Sequence, residues 1–348
     1  MNPASTSETA EQAELLVAAR SGDEAAFAKL VEAYRSQLHA HCYRMLGSIQ
    51  DSEDAFQETL IRAWRGLAKF EERSALRSWL YRIATNVCLD QIGRRPKRML
   101  ATEYGPASGP GEAPAKPLLE SVWIDPYPDE EFAIEDGRAG PNARYEQRES
   151  VELAFVAALQ YLQPLQRAVL ILREVLGFSA GEVAEALDST PAAVYSALQR
   201  AHKTVDDRLP EQSQQANVRS LGDARMKRLV KSYVDAWESN DVDGIKSMLA
   251  DEAAIAMPPS PSWFRGREAF GDFIANWPLE GKLEWRLVPI RAAGQLAFAS
   301  YARRDGAGPY VGHSIDVLTL DGEQITELTA FRDPEILGRF GLPAEIQP

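Results

Sequence analysis

The 348-residue sequence predicts a multidomain chain: two all-α modules, the second a helix-turn-helix, followed by an α+β domain. Three observations predict it. Apolar residues recur at helical spacing on both sides of an acidic, Pro/Gly-rich break at 99–149. A Gln/Ser/Asn-rich stretch at 210–224 interrupts the pattern again and reads as flexible. Beyond it, three helical segments precede or flank alternating strands joined by turns at Asp305-Gly306 and Asp321-Gly322. The expected boundaries are a tail and first-helix start at 1–23, helical modules at 24–98 and 150–209, linkers at 99–149 and 210–224, and a C-terminal domain at 225–348.

In the first module, DSEDAFQETLIRAWRGL reads as an amphipathic helix whose Phe56, Leu60, Ala63 and Leu67 form a buried stripe. Asp51 or Ser52 is the expected cap, and Glu53 and Asp54 suit the positive end of the helix dipole. After the loop FEERSAL comes a second helix, RSWLYRIATNVCLDQIGRRPKR. Between Arg73 and Arg98 seven basic residues stand against one acid, Asp90, with Trp79 and Tyr81 inside the run. Cations that track phosphates, interleaved with rings that receive unstacked bases, are what holding an unpaired strand requires. On this window alone, core aromatics with a solvated basic end remain an equal reading.

The second module reads PLQRAVLILREVLGFSAGEVAEALDSTPAAVYSALQRAHKTVDDRL. A helix over 165–175 ends near Gly177, and Ser179 caps a short helix with Val183, Ala184 and Leu187 inward. After a tight turn at Asp188-Ser189, Thr190 caps a longer helix with Pro191 in its first turn. Val194, Leu198 and Ala201 face inward there, while Tyr195, Ser196, Gln199, Arg200 and Lys203 face outward. That is a helix-turn-helix pattern, shared by generic helical hairpins.

These two windows resemble the extracytoplasmic-function sigma factors of bacterial RNA polymerase (sigma-70 family): region two through DSEDAFQETLIRAW and SWLYRIATNVCLDQIGRR, region four through LQPLQRAVLILREVLGFSAGEVAEAL and the helix after it. The resemblance implies a cytoplasmic, non-enzymatic subunit that binds core polymerase through its β′ coiled coil and β flap, recognises promoter DNA and helps open it. It implies that Asp54, Gln57, Glu58, Arg62 and Arg65 dock on the polymerase. The loop Phe70–Ala75, with Arg73 and Ser74, would receive a flipped base of the minus-ten element. Arg77, Trp79, Arg82 and Asn86, with the basic end at Arg94 and Arg95, would handle the neighbouring strand. Thr190, Ala193, Tyr195, Ser196, Gln199, Arg200 and Lys203 would meet the minus-thirty-five element. Tyr195 departs from the small polar or basic residues common at its position, so upstream preference does not carry over.

The net charge of −13 fits this reading only once divided along the chain. Residues 1–100 carry 14 basic and 13 acidic groups and 151–228 carry 9 of each, whereas 101–150 and 229–348 are each at −7. Acidity therefore lies away from both DNA-facing windows. No apolar run reaches the roughly 20 residues of a membrane span, and no signal-peptide pattern opens the chain. Cys42 and Cys88 lie in helices and exclude a disulfide framework. His39, His41 and Cys42 point in different directions on one helix, so packing is expected there, with no metal and no cofactor.

Within the acidic linker the island SVWIDPYPDEEF marks Trp123 and Tyr127 as anchors on a neighbouring domain, and sigma factors with a C-terminal extension carry a similar tryptophan–proline–aspartate signature. In the C-terminal part, Leu229, Tyr233 and Trp237 repeat along a helix and Asp241 caps the next. Its order of elements, with MPPSPSWFRGREAF and FGLP, resembles the SnoaL-like group of the NTF2-like cone fold. Trp263, Trp285, Tyr301, His313, Asp316 and Phe331 are the expected cavity lining. The resemblance makes this domain an in-cis regulator in contact with the linker and the helical modules. Two alternatives stay open at this point: a one-component helix-turn-helix regulator with a ligand-sensing cone, or isomerase or cyclase activity in the cone.

Overall fold

The computed structural model describes residues 3–70, 75–118, 122–129, 149–304, 306, 308–333 and 335–348. They divide into two compact units. One holds the residues up to Pro96 together with Leu162–Lys203; the other begins at Lys97, includes the stretch ending at Tyr161, and resumes at Thr204.

In the first unit, α1 (Pro3–Arg20) and α2 (Glu24–Glu32) lead into α3 (Arg35–Leu46), α4 (Ile49–Gly66) and α5 (Leu76–Ile92). The last three pack around fully buried Leu38, Tyr43, Met45, Ile49, Ala55 and Leu80. Gly47 (φ 70°) ends α3 in the left-handed region, and Ser48, not Asp51 or Ser52, caps α4 by accepting from Asp51 N at 3.4 Å. The helix starts earlier than its acidic run suggests, so Asp51 and Ser52 lie buried in its first turn. Phe56, Ala63 and Leu67 are buried as expected, and Leu60 is half-buried.

Next in the chain come α6 (Leu153–Gln160), α7 (Pro164–Leu170), α8 (Ala180–Ala186) and α9 (Pro191–Asp206). Helix α7 continues through a π-helical turn at Ile171–Val175 to Gly177. Its Arg167, 4% exposed, donates from Nη1 to Met45 O near the end of α3 at 2.5 Å. Burial lowers the pKa of that guanidinium to about 10. A cation at the carbonyl end of α3 thus ties α7 to the α3–α5 bundle.

The second unit contains α6, α10 (Gln214–Glu238), α11 (Val242–Met248), α12 (Arg267–Asn276) and α13 (Ile336–Arg339). Its sheet runs β2-β1-β6-β5-β4-β3, from β1 (Leu249–Ala256), β2 (Trp263–Arg265), β3 (Leu283–Ala292), β4 (Gln295–Arg304), β5 (Tyr310–Asp321) and β6 (Gln324–Phe331), with β7 (Glu345–Ile346) on β5. Among the described strand pairs of this sheet only β1–β6 is parallel. Helix α10 packs on β3 and β5, stacking Tyr233 on Phe298 at 4.7 Å, and α12 packs on β1 and β2.

The described parts of two stretches read as linkers pack against this sheet. The polar stretch before α10 becomes its first turns, which bend at Gly222 (φ 71°). Gln214 donates to Leu320 O at 3.0 Å and accepts from Leu320 N at 2.8 Å, and Asn217 clamps Gly322 in the same two-way manner. Glu152 accepts from the N–H groups of Gln214 and Gln215 at 3.0 and 2.9 Å, an anion at a helix start. The side-chain amides here serve as backbone clamps. The acidic linker borrows its core: Ala101 and Trp123 bury against Ala254, Ala256 and Trp263. Tyr127 is fully buried, its carbonyl accepting from Ala293 N at 2.7 Å, and Asp129 accepts from Gly294 N at 2.9–3.0 Å.

Candidate nucleic-acid interface

Two separate polar faces of the first unit carry the residues singled out above. On α4, burial of Ala55, Phe56, Thr59 and Ala63 turns Asp54, Gln57, Arg62 and Arg65 to solvent, with Glu58 half-exposed beside them. Arg62 pairs with Glu58 at 2.7 Å and with Asp90 of α5 at 3.0 Å; these hydrogen bonds raise its pKa. Ile61, 44% exposed, sits amid these charges. The sequence reading missed it, although an Ile off the buried stripe of α4 was the available signal.

The expected minus-ten residues divide into exposed and covered groups. Arg73 and Ser74 lie outside the described residues. Phe70 and Trp79 are 7% exposed and their rings meet at 4.9 Å with a 38° tilt, and Arg20 covers Phe70. Arg77 points at the turn before α8: Nη2 donates to Leu176 O at 3.0 Å, and the guanidinium lies 4.2 Å from the Phe178 ring and 5.2 Å from that of Tyr81. Tyr81 meets Phe178 edge-on at 5.3 Å, and burial pushes its pKa up to about 12. Ser78 lies 3.4 Å from Glu182 of α8, whose pKa the hydrogen bonds from Ser179 hold down. Beside that contact, Ser78, Trp79 and Arg82 line a space of about 270 Å³ together with Glu182 and Glu185. Asn86 and Arg94 are exposed; Arg95 reaches back to Asp51 and, at 3.5 Å, Asp54. Helix α8 therefore covers the start of the basic helix α5 and leaves its far end open.

In the helix-turn-helix, Ser179 accepts from Glu182 N at 3.2 Å while Glu182 accepts from Ser179 N at 2.8 Å, a capping box. Asp188 (φ 48°) makes the turn, and Thr190 caps α9 by accepting from Ala193 N at 3.2 Å. Val194, Leu198 and Ala201 are buried. Thr190, Ala193, Tyr195, Ser196, Gln199, Arg200 and Lys203 are all exposed, Tyr195 at 58%. That face presents hydroxyl, amide and cationic groups, the side-chain types that can hydrogen-bond base edges.

His39, His41 and Cys42 pack in the α3–α5 core: His39 edge-on to Phe56, His41 Nε2 2.9 Å from Thr85 Oγ1, Cys42 fully buried. In the second unit, Trp285, His313 and Asp316 line a cavity, whereas three other expected lining residues do not. Trp263 lies under the linker and donates to Gly105 O at 3.0 Å. Tyr301 donates to Pro343 O at 3.0 Å, and Phe331 is buried elsewhere in the sheet.

Comparison with known proteins places these features among relatives. Residues 30–98 match the model for Sigma-70 region 2, residues 152–205 that for Sigma-70 region 4, and residues 230–328 that for the SnoaL-like domain. The chain is 38% identical over 325 residues to the ECF RNA polymerase sigma factor SigG of Mycobacterium tuberculosis, covering 93% of this chain and 85% of the relative. It is 29% identical over 189 residues to SigM of the same organism, covering 54% and 80%. The solved structure of the extracytoplasmic function sigma factor SigJ of Mycobacterium tuberculosis superimposes with a TM-score of 0.57 over 91% of this chain and 99% of that one, at 20% identity.

Proposed function

Because this chain belongs to the extracytoplasmic-function sigma factors of the sigma-70 family, we propose that it directs core RNA polymerase to promoters through the exposed faces of α4 and α9. It is a transcription initiation factor of the cytoplasm. Asp54, Gln57, Glu58, Arg62 and Arg65 dock on the β′ coiled coil, with Ile61 as the apolar centre of the contact. Arg77, Trp79, Arg82, Asn86, Arg94 and Arg95 hold the unpaired minus-ten strand, beside a base received around Phe70. The outward residues of α9 from Thr190 to Lys203 read the minus-thirty-five element in the major groove. Nucleotide chemistry stays in the polymerase, and the SnoaL-like domain regulates in cis without turnover.

The observation that carries the reading is the pairing, within one helical unit, of an exposed α4 face and an exposed recognition face on α9. Flipping one base costs a few kcal/mol, which stacking of ~1–3 kcal/mol per base offsets. Arg77 reaches a phosphate only after it leaves Leu176 and Phe178, so engagement of the minus-ten strand requires α8 to move off α5. The direct test is run-off transcription by core polymerase on a promoter library with the purified chain. Discrete, chain-dependent starts are expected; core that ignores the chain would refute the reading.

Two substitutions probe the separate faces. Ile61→Asp is expected to weaken affinity for core by at least about tenfold while leaving the thermal melt unchanged, because the side chain is exposed. Equal core affinity of variant and parent would remove Ile61 from the contact. Tyr195→Ala is expected to cost ~1–3 kcal/mol at the upstream element and to change which upstream sequences are preferred. An unaltered promoter profile would make Tyr195 a bystander.

A further inference from the structure

The sheet domain holds a partly open cavity of about 170 Å³ whose wall is mostly apolar: Trp237, Trp277 and Trp285 with Met257, Phe273 and Leu328. Against this wall stand His313, Ser314 and Asp316 of β5 and Arg332 just after β6. Strand β5 is irregular there: Ser300 faces Ser314 and Tyr301 faces Gly312, which leaves His313 as an extra residue. That bulge brings His313 onto the wall shared by Ser314 and Asp316.

The polar groups are built in rather than scattered. Asp316, 5% exposed, accepts from Ser300 Oγ at 2.5 Å and Ser314 Oγ at 2.7 Å. A carboxylate has about four lone-pair directions, so acceptor capacity remains. His313 meets Trp285 edge-on at 5.0 Å, and burial, with Arg332 second, lowers its pKa to about 4, so it is neutral at neutral pH. Pro114 of the acidic linker completes the lining. Its neighbours are tied to the loop after β1: Ala115 N donates to Ser262 Oγ at 2.8 Å, Ser260 Oγ to Ala115 O at 2.9 Å, and Leu118 N to Pro259 O at 3.0 Å.

The geometry assigns to this cavity a small uncharged ring compound bearing a hydroxyl, and to Pro114 the reporting of its presence to the linker between regions two and four. Size sets the ring count: an apolar cavity of ~150 Å³ takes up benzene. The hydroxyl donates to Asp316, which lines the cavity and keeps acceptor capacity beyond its two serine hydroxyls. Arg332 balances Asp316, which removes the need for a cationic ligand, and Asp316 disfavours an anion. Only the regulatory half of the inference rests on the sigma-factor reading.

The test titrates the full chain with p-cresol and with p-xylene, which has nearly the same shape without the hydroxyl. Saturable one-site binding of p-cresol at least about tenfold tighter than p-xylene is expected. Asp316→Asn narrows that preference, and Ala330→Phe, which fills the cavity from β6, removes binding of both while the melt reports folding. No saturable p-cresol binding, equal affinity for the two probes, or tighter binding of benzyltrimethylammonium would each overturn the assignment. For the regulatory half, p-cresol is expected to change run-off transcription by at least about twofold and to change amide exchange at Ala115 and Leu118, both effects being lost in Pro114→Gly. Bound p-cresol that leaves exchange and transcript level unaltered overturns the reporting role. A chain that yields no transcript under any condition fails as an initiation factor instead, and binding and exchange still decide the inference.

Discussion

Phe178→Ala is expected to destabilise the helical unit by about 3–5 kcal/mol and to release region four from region two. Phe178 is 4% exposed and holds three partners at once. Its ring receives the Arg77 guanidinium at 4.2 Å and the Tyr81 edge at 5.3 Å, and its carbonyl accepts from Arg173. Truncation leaves a cavity between α5 and α8 and takes away the nearer of the two rings that hold Arg77, leaving it the Leu176 carbonyl and the Tyr81 ring. Spin labels at exposed Asn86 and Gln199 measure the result, since Cys42 and Cys88 are fully buried and stay unlabelled. The interlabel distance is expected to widen, and binding of a single-stranded minus-ten oligonucleotide to increase several-fold. An unchanged distance in a stable variant would mean that α8 is held by other contacts, Arg167 to Met45 foremost.

Much of the first unit was legible because its signals are local. The cap at Thr190, the proline behind it and the apolar triplet Val194, Leu198 and Ala201 fall within a few turns of one another and determine which side of α9 faces outward. The stripe on α4 is equally local. Its cap was misplaced because the acids at Asp51, Glu53 and Asp54 obscure the Gly47-Ser48 pair, where one helix ends and the next begins.

What stayed illegible depends on partners distant in sequence. The Gln/Asn content of 210–224 reads as flexible, yet Gln214 and Asn217 find the backbone of Leu320 and Gly322 more than a hundred residues later. The acidic linker contains too few apolar residues for a core of its own, and Trp123 and Ala101 use one supplied by β1 and β2. Covering Trp263 with that linker removes it from the cavity, and the bulge at His313 puts adjacent residues on one wall, which strand alternation does not anticipate. Periodicity showed which sides of α4 and α9 turn outward, and only the family resemblance attached a role to either side. That α8 masks the first turns of α5 required the tertiary structure.

Acid is expected to destabilise the helical unit as soon as the pH falls through the ordinary imidazole value of 6.5. Thr85 gives its hydroxyl proton to Tyr81 O at 2.7 Å, so at 2.9 Å it accepts from His41 Nε2, and Nδ1 is left buried without a partner. Protonating Nδ1 would bury an unpaired cation near Arg44. Burial, with Arg44 second, lowers the His41 pKa from 6.5 to about 3, and burial, with Arg35 second, lowers that of His39 to about 4. Between those values and 6.5 the unfolded chain binds protons that the folded one refuses. Stability from both groups is therefore complete above the unfolded value and is lost as pH falls through 6.5 toward the folded values. At about pH 5 the two together cost the fold about 4 kcal/mol, taking ~1.4 kcal/mol per pH unit per proton. The sheet domain is partly protected. There burial lowers the His313 pKa but raises those of Asp316 and Glu327, and a carboxyl with a raised folded pKa binds protons preferentially in the folded state. Calorimetry between about pH 7 and 5 should show the transition of the helical unit moving down faster than that of the sheet domain. The double substitution His39→Gln, His41→Gln should remove about two protons from the uptake on unfolding and flatten that dependence. An equally steep loss in the double variant would assign the acid lability to other groups.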